Sequence, residues 1–480
     1  MTTAQEKTRY GMGTKLSYGI GSVAFGIKDN GFGAILLLFY NQALGLDARV
    51  AGLAIAIALV VDAFLDPIIG YASDHLQTRW GRRHPFMYAA AIPAALGYAF
   101  LFSPPSGLTQ EGLFAYLLCF AILVRAFIAL FEIPNSALVA EFTQNYEERT
   151  SYLNWRLFFG WTGGLTMSVV AFGIFLSKGV GGISGTQVPE NYHAYGVAAA
   201  ILMFIAMMAS AIGTHRTIPW LNRPTKKNGD GVLPNFLKGV RRALSSRSAV
   251  MSLLNGMFIM LSTGLIGGIT PYLYGYLFKL NPQQISILYG SAFVSAFLAL
   301  IATPWLSKRF EKRHSYIAVT IAAVLTTPIA AILQILGLLP STTLNSLIPL
   351  LFALGVVTTT FLIVQGTLYY SMSADVIEEI EVKTGHREEG IYFAASIFVR
   401  KCATGFSVLV TSAMLYAAGF PEKAIPGNVE VSVINHLVSY FIGAFILLNI
   451  AAIFCVVAYK INRASHAENL AILVSRREQI

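Results

Sequence analysis

Two aspartates one helical turn apart lie in a largely apolar stretch of the chain. The stretch VVDAFLDPIIGYASD covers residues 60–74 and contains Asp62 and Asp66. Positions i and i+4 share one face of a helix, so the two carboxylates repel each other, and we expect that one holds a proton or that both share a cation. Pro67 leaves a carbonyl oxygen of the preceding turn without its amide partner, and that oxygen is a further candidate ligand. The spacing therefore predicts a switchable site for a coupling ion.

Other charged residues also lie inside apolar runs, where each opposes membrane insertion by roughly 2.5–3.5 kcal/mol. Arg125 and Glu132 are seven residues apart, hence on roughly one helix face, and Glu132 lies close to Pro134. The spacing leaves open whether Arg125 forms a structural salt bridge or contacts substrate, whereas Glu132 is predicted as a site residue. Arg400 and Lys401 are adjacent, so they lie about 100° apart on a helix and only one can face a cavity squarely. The full set is Lys28, Asp29, Asp62, Asp66, Arg125, Glu132, Arg156, Arg400 and Lys401.

The elements that position these residues are membrane-spanning helices. The chain has 480 residues, of which 55% are hydrophobic and 12% charged, and its mean hydropathy is +0.62. A soluble domain carries about 25% charged residues. Apolar runs long enough to cross a bilayer lie near 15–44, 49–74, 85–103, 112–142, 153–178, 193–213, 248–278, 283–306, 314–337, 345–374, 391–419 and 433–461. The composition predicts an all-α membrane protein with twelve transmembrane helices.

The net charge of +10 is explained by membrane orientation. Lys and Arg concentrate in alternate loops, such as TRWGRRHP and SKRFEKRH, whereas the intervening loops SPPSGLTQEG and LLPSTTLNS hold none. By the positive-inside rule, the basic loops and both termini lie in the cytoplasm, and we expect a bacterial inner-membrane protein. This distribution argues against nucleic-acid binding and makes the lipid bilayer the expected partner.

The longest polar connection divides the predicted helices six and six. We expect an N-terminal six-helix bundle, a central cytoplasmic loop, a C-terminal six-helix bundle and a cytoplasmic tail, over 1–213, 214–247, 248–461 and 462–480 respectively. Pseudo-symmetric halves of six helices are typical of major facilitator transporters, whose sites lie near the bilayer midplane between halves that alternate in access. The arrangement predicts a carrier that functions as a monomer.

The segment after the tenth predicted helix is dense in mixed charge. It reads SADVIEEIEVKTGHREEG, residues 373–390. It is either a solvated cytoplasmic turn or a gate whose ion pairs hold one face closed, and the sequence favours neither.

Function classes other than transport receive less support. None of the eight histidines lies deep in a predicted span, so an enzyme is not expected. Cys119, Cys402 and Cys455 form no metal-binding motif, so no metal site is expected either. A non-transporting membrane sensor or scaffold is the alternative from another class.

Several motifs together resemble the glycoside–pentoside–hexuronide:cation symporter family (melibiose permease-like) of the major facilitator superfamily. They are KDNG, DAFLDPIIGYASDHLQTRWGRRHPF, EIPNSAL with EERTSYLNWR, and ADVIEEIEVKTGHREEGIYFAASIFVRK. The motifs cover both halves of the chain, and their combination is specific. The resemblance implies cation-coupled symport of a glycoside, sugar or related polar solute.

The resemblance also implies roles for individual residues. Asp62 and Asp66 match the family's cation-binding aspartates, and Glu132 matches an acid that serves both cation and sugar. Lys401, rather than Arg400, matches a lysine that neutralises the empty carboxylates and releases them when cation and substrate arrive. The implied substrate-binding residues are Lys28, Asp29, Glu132, Arg156 and Lys401. No cofactor is implied beyond a coupling ion, H⁺ or Na⁺.

Four positions depart from the melibiose permease-like pattern. Leu65 and Ala129 stand where sodium-using members carry neutral oxygen ligands, Glu132 replaces an aspartate, and Ser136 replaces a tryptophan that packs on a sugar ring. Sodium needs several oxygen ligands whereas a proton needs one carboxylate, so H⁺ is favoured over Na⁺ as the coupling ion. Because some members that resemble this pattern carry amphiphilic lipids, a cation-coupled carrier of an amphiphilic or other non-sugar solute is the alternative.

Overall fold

Helices make up the regular structure of the part of the chain that is described. The structure is a computed structural model, and it describes residues 11–478 apart from 77, 144, 221–243, 245, 340–343, 386–388 and 460. No β-strand occurs within these residues. The main helices are α1 Met12–Ala43, α2 Ala48–His75, α3 His84–Leu101, α4 Gln110–Phe142, α5 Glu148–Phe175, α6 Pro189–His215, α7 Arg247–Leu277, α8 Pro282–Arg309, α9 Lys312–Ile335, α10 Leu344–Thr384, α11 Glu389–Ala417, α12 Val431–Ala458 and α13 Arg463–Glu478.

Each of the twelve predicted spans is matched by a helix. Among the described residues, eleven helices are long and apolar enough to cross a membrane. The remaining span, predicted near 85–103, is occupied by α3, which has 18 residues. The prediction of an all-α, multi-pass membrane protein is therefore confirmed.

The first helix, α1, departs from regular α-helical hydrogen bonding at two points and packs closely on α5. Its α-helical hydrogen bonding gives way to π-helical turns at Gly31–Ile35 and Phe39–Ala43. At Gly26, an added Cβ would lie 1.8 Å from the carbonyl oxygen of Gly160 in α5. The backbones of α1 and α5 are therefore in direct contact at this point, and only glycine permits so close an approach. The contact fixes the turn of α1 that carries Lys28.

The helix α10 extends beyond its predicted end. The sequence predicted a span over 345–374 and then a charged loop, whereas the helix continues to Thr384. The charged residues of this stretch include good helix formers, and no glycine or proline interrupts them before Gly385, whose φ of +70° ends the helix. Residues 373–384 are therefore helical and not a solvated turn.

The predicted cytoplasmic tail, residues 462–480, contains the helix α13, and this helix packs on α10. His466 of α13 lies 2.8 Å from a carboxylate oxygen of Glu378 in α10. Lys312 of α9 lies 2.8 Å from Asp375, on the same helix as Glu378. Asp375 of α10 thus forms an ion pair with α9, and Glu378 of α10 contacts α13. Whether they act as a gate stays a prediction, and residues 386–388 of the predicted gate lie outside the described residues.

Contacts between Cα atoms divide the chain into two compact units. The first consists of Met1–Thr225, Gly267–Tyr289 and Val408–Ile434, and the second of Lys226–Ile266, Gly290–Ser407 and Asn435–Ile480. In the first unit, α1 packs on α5 and α6, and α4 packs on α2 and α3. The six-and-six domain boundaries stay a prediction, and most of the predicted central loop, residues 221–243, lies outside the described residues.

Candidate functional site

A buried ion pair joins α2 to α4. Nη2 of Arg125 donates a hydrogen bond of 2.8 Å to Oδ2 of Asp62, and these side chains are 4% and 2% exposed. Close packing of α2 against α4 brings the two residues together. The guanidinium carbon of Arg125 also lies 5.1 Å from the centre of the Phe32 ring in α1. The spacing left open whether Arg125 forms a structural salt bridge or contacts substrate, and in the structure it forms a salt bridge.

A second pair joins α4 to α5 and is more exposed. Nη2 of Arg156 donates a hydrogen bond of 2.7 Å to Oε1 of Glu132, and both side chains are 23% exposed. Glu132 follows Arg125 by seven residues, so the two share one side of α4, about 10 Å apart along the axis. The helix α4 thus pairs its Arg125 with an acid of α2 and its Glu132 with a base of α5. Partial exposure leaves the Glu132–Arg156 pair accessible to a polar solute.

A third pair is formed by neighbours on α1. Nζ of Lys28 lies 2.8 Å from Oδ1 of Asp29 and 4.6 Å from the centre of the Phe25 ring. The lysine side chain is 3% exposed and the aspartate 45%. The ammonium group is therefore enclosed by a ring and a carboxylate, while the carboxylate itself faces accessible space. Asp29 is the accessible member of this pair, and Lys28 is the buried one.

The remaining predicted site residues are distributed over both units. Asp66 is half-buried in α2, one turn after Asp62. Lys401 is half-buried in α11 and belongs to the second unit. Its neighbour Arg400 hydrogen-bonds to the hydroxyl of Tyr370 and lies over that ring. Seven of the nine charged residues that the sequence predicted inside apolar spans belong to the first unit, and we call these seven the embedded charges: Lys28, Asp29, Asp62, Asp66, Arg125, Glu132 and Arg156.

The sequence did not predict a polar cluster at the end of α1, within the first unit. Oε1 of Gln42 accepts hydrogen bonds from the hydroxyl of Tyr276, at 2.8 Å, and from the backbone N–H of Ala424, at 2.9 Å. Its Nε2 donates to the carbonyl oxygen of Pro421, at 3.2 Å. Asn41 and Gln42 are each 1% exposed. The sequence did contain a signal for this cluster, namely the adjacent Asn41 and Gln42 at the end of an apolar run. Buried side-chain amides require hydrogen-bond partners, so such a pair indicates a polar cluster. The cluster anchors α1, the helix that carries Lys28 and Asp29.

The chemistry of the embedded charges suits binding of a cation and a polar solute. Carboxylates accept protons and ligate cations, and Lys and Arg donate hydrogen bonds to solute oxygens. Within the described residues, no group of three or more His, Cys, Asp or Glu side chains could hold a metal ion. The arrangement is therefore one of paired charges inside membrane helices.

Comparison with known families gives a match over nearly the whole chain. A family model described as MFS/sugar transport protein matches residues 17–463. An uncharacterised symporter of Synechocystis is 26% identical over 97% of this chain and 97% of its own. The isoprimeverose transporter of Lactiplantibacillus pentosus is 26% identical over 85% of this chain and 80% of its own. A putative glycoside/cation symporter of Escherichia coli is 24% identical over 92% of each chain.

Solved structures share the fold at low sequence identity. The inward-open xylose transporter of E. coli has a TM-score of 0.64 at 14% identity and covers 96% of this chain and 98% of its own. A bacterial homologue of the human lysosomal transporter Spinster has a TM-score of 0.63 at 14% identity, covering 95% and 98%. These likenesses concern the fold alone, and they confirm the predicted major facilitator fold. Because the family model covers well over half of the chain, it also confirms the resemblance, and the chain belongs to the MFS/sugar transport protein family.

Proposed function

We propose that the protein is a secondary active transporter that couples entry of a glycoside, sugar or related polar solute to a monovalent cation by alternating access. The observation that carries the proposal is the set of embedded charges in a chain of the MFS/sugar transport protein family. Ionisable residues at membrane depth are costly, and they mark substrate and ion pathways. The isoprimeverose transporter and the putative glycoside/cation symporter among the relatives support the same class.

The site residues divide by chemistry in this proposal. Asp62, Asp66 and Glu132 are the carboxylates that serve the cation. Lys28, Asp29, Glu132, Arg156 and Lys401 serve the solute. The exposed carboxylate of Asp29 and the partly exposed Glu132–Arg156 pair support this division, since a solute must reach the groups that bind it.

A reconstituted uptake assay tests the proposal. Purified protein in proteoliposomes is screened with isoprimeverose, other glycosides, simple sugars, uronides and amphiphiles, under imposed cation gradients. We expect gradient-dependent accumulation of a glycoside or sugar. Accumulation of amphiphiles alone would favour the non-sugar carrier, and uptake of none of them would favour the sensor or scaffold.

We also predict that the coupling ion is a proton and not sodium. The side chains of Leu65 and Ala129 carry no ligand atom. They stand at positions where sodium-using members of the resembled family place neutral oxygens. Sodium must replace its water with several oxygen ligands, so their loss disfavours sodium. We expect a pH gradient without sodium to drive uptake in proteoliposomes, and a sodium gradient at constant pH to drive little. Strong sodium-driven uptake that ignores the pH gradient would reject the proton.

A separate prediction concerns orientation: the protein lies in a bacterial inner membrane with both termini in the cytoplasm. Single cysteines at two exposed positions, Thr78 in the basic loop after α2 and His314 in the basic first turn of α9, should react with a membrane-impermeant maleimide only after the cells are opened. A cysteine at Ser106, in an exposed loop that lacks Lys and Arg, should react in intact cells. The native cysteines Cys119, Cys402 and Cys455 are first replaced by serine. Labelling of position 78 from outside would reverse the proposed topology.

A further inference from the structure

A loop that follows α11 lies against the end of α1. The loop comprises residues 418–430, between α11 and α12, and we call it the strap. The sequence assigned α1 and the strap to different six-helix bundles, whereas the structure places both in the first unit. With both termini predicted in the cytoplasm, every odd-numbered span ends on the extracellular side. The strap and the end of α1 therefore share the predicted extracellular face.

The strap is held to α1 by the side chain of Gln42. Its Oε1 accepts a hydrogen bond of 2.9 Å from the backbone N–H of Ala424, and its Nε2 donates to the carbonyl oxygen of Pro421 at 3.2 Å. The hydroxyl of Tyr276 in α7 lies 2.8 Å from Oε1 of Gln42 and 2.9 Å from the carbonyl oxygen of Ala424. Nε2 of Gln187, between α5 and α6, donates to the same carbonyl at 2.5 Å. Both backbone groups of Ala424 are thus bound by side chains from three other segments.

Aromatic rings fill the space beside these hydrogen bonds. The ring of Phe420, in the strap, packs edge-on against Tyr272 at 5.5 Å and against Tyr276 at 4.9 Å. The hydroxyl of Tyr272 donates to Oδ1 of Asn41 at 3.2 Å. All of these side chains, with that of Gln42, are buried. The cluster therefore excludes a polar solute in this conformation.

The hydrogen bonds of the cluster are of a kind that can open and re-form. They join neutral amides, hydroxyls and backbone groups, and water replaces such bonds at little net cost. The buried Asp62–Arg125 pair differs, because separating its members would leave desolvated charges. Asn41 and Gln42 also lie in the π-helical turn Phe39–Ala43, a local structure that is frequent at functional sites. These features suit a face that opens in every transport cycle.

We propose that Gln42 and the strap form the extracellular gate of the carrier, which opens to admit the solute and closes before the solute is released inside. Tyr276 is a positioning residue, because its hydroxyl lies between Gln42 and Ala424. The inference deepens the proposed transport function and rests on it, but its test is a labelling measurement that needs no solute.

The test measures how fast a cysteine behind the gate reacts from outside. Gly33→Cys supplies the reporter, because Gly33 lies between Asp29 and Gln42 on α1 and an added Cβ there meets no atom within 4 Å. The native cysteines are replaced by serine, and a membrane-impermeant maleimide is added to right-side-out vesicles. We expect Gln42→Ala to speed labelling at least about tenfold and Tyr276→Phe about fivefold, because each removes hydrogen bonds that only the closed gate makes.

Gln110→Ala is the matched control. Gln110 also binds backbone near the end of α1, since it donates to the carbonyl oxygen of Gly45 at 2.7 Å and accepts from the N–H of Asp47 at 3.2 Å. These partners belong to the connection between α1 and α2 and not to the strap, so labelling should stay at the rate of the unaltered gate. Ser106→Cys, in a predicted extracellular loop, gives the rate for a freely exposed cysteine.

Each outcome supports or overturns the gate. Equal labelling of the reporter with the unaltered gate, Gln42→Ala and Tyr276→Phe would overturn it, as would equal acceleration by Gln110→Ala. A reporter that reacts as fast as position 106 with the gate unaltered, or a position 106 that does not react from outside, would also overturn it. If Gln42→Ala does not fold, Tyr276→Phe decides, because it keeps the ring that packs on Phe420. Faster labelling of the gate variants without uptake of any solute by the wild type would reject transport and retain the opening of the strap.

Discussion

Replacing Asp66 by asparagine is expected to abolish cation-driven accumulation while leaving exchange of solute across the membrane. Asparagine keeps the size of the side chain but cannot take up a proton or supply a negative charge to a cation. Accumulation needs the ion to bind and leave in every cycle, so an uncoupled carrier only equilibrates its solute. Exchange needs no net ion movement, because the loaded carrier returns with solute bound. The accumulation ratio in proteoliposomes should fall at least about tenfold, the factor that 1.4 kcal/mol of lost coupling represents.

Two comparisons decide this first prediction. Glu111→Gln changes an exposed acid in the first turn of α4, and it should leave accumulation unchanged. Counterflow, in which labelled solute enters vesicles preloaded with unlabelled solute, should persist in Asp66→Asn. Full uphill accumulation by Asp66→Asn would remove Asp66 from the coupling step, and loss of both accumulation and counterflow would indicate damage to solute binding.

Replacing Gly26 by alanine should be strongly destabilising. The new Cβ would lie 1.8 Å from the carbonyl oxygen of Gly160, a backbone atom that cannot turn aside. The helices α1 and α5 must then separate, and overpacking of this kind costs about 1–3 kcal/mol or more. We place Gly26→Ala at the upper end of that range or beyond it, because the clash is with backbone. The expected result is a large fall in melting temperature in detergent, with loss of monodisperse protein on size-exclusion chromatography.

Gly33→Ala is the matched control, because Gly33 lies on the same helix. An added Cβ at Gly33 would meet no atom within 4 Å. Alanine also restricts the unfolded chain more than glycine does, worth about 0.4–1 kcal/mol at a compatible site. We expect Gly33→Ala to melt at or slightly above the wild-type temperature. A Gly26→Ala protein as stable as Gly33→Ala would mean that the direct backbone contact between α1 and α5 is incorrect.

The sequence by itself determined the class of protein and the positions of its helices. Twelve apolar runs predict the spans because water is absent from the bilayer core and backbone groups there must bond within a helix. Sequence periodicity also placed Asp62 with Asp66, and Arg125 with Glu132, on shared helix faces. Each of these inferences depends on neighbours along one helix, which sequence contains.

Only the tertiary structure decided which charges meet. Asp62 bonds to Arg125, 63 residues away along the chain, and Glu132 bonds to Arg156 on a third helix. Helical spacing gives the direction of a side chain around its own axis but not which neighbouring helix lies there. The end of α10 was missed for a related reason, because a charged helical stretch and a solvated loop have similar compositions until partners such as Lys312 and His466 are in place. Burial, which distinguishes the closed Asp62–Arg125 pair from the accessible Glu132–Arg156 pair, is likewise a property of packing between helices.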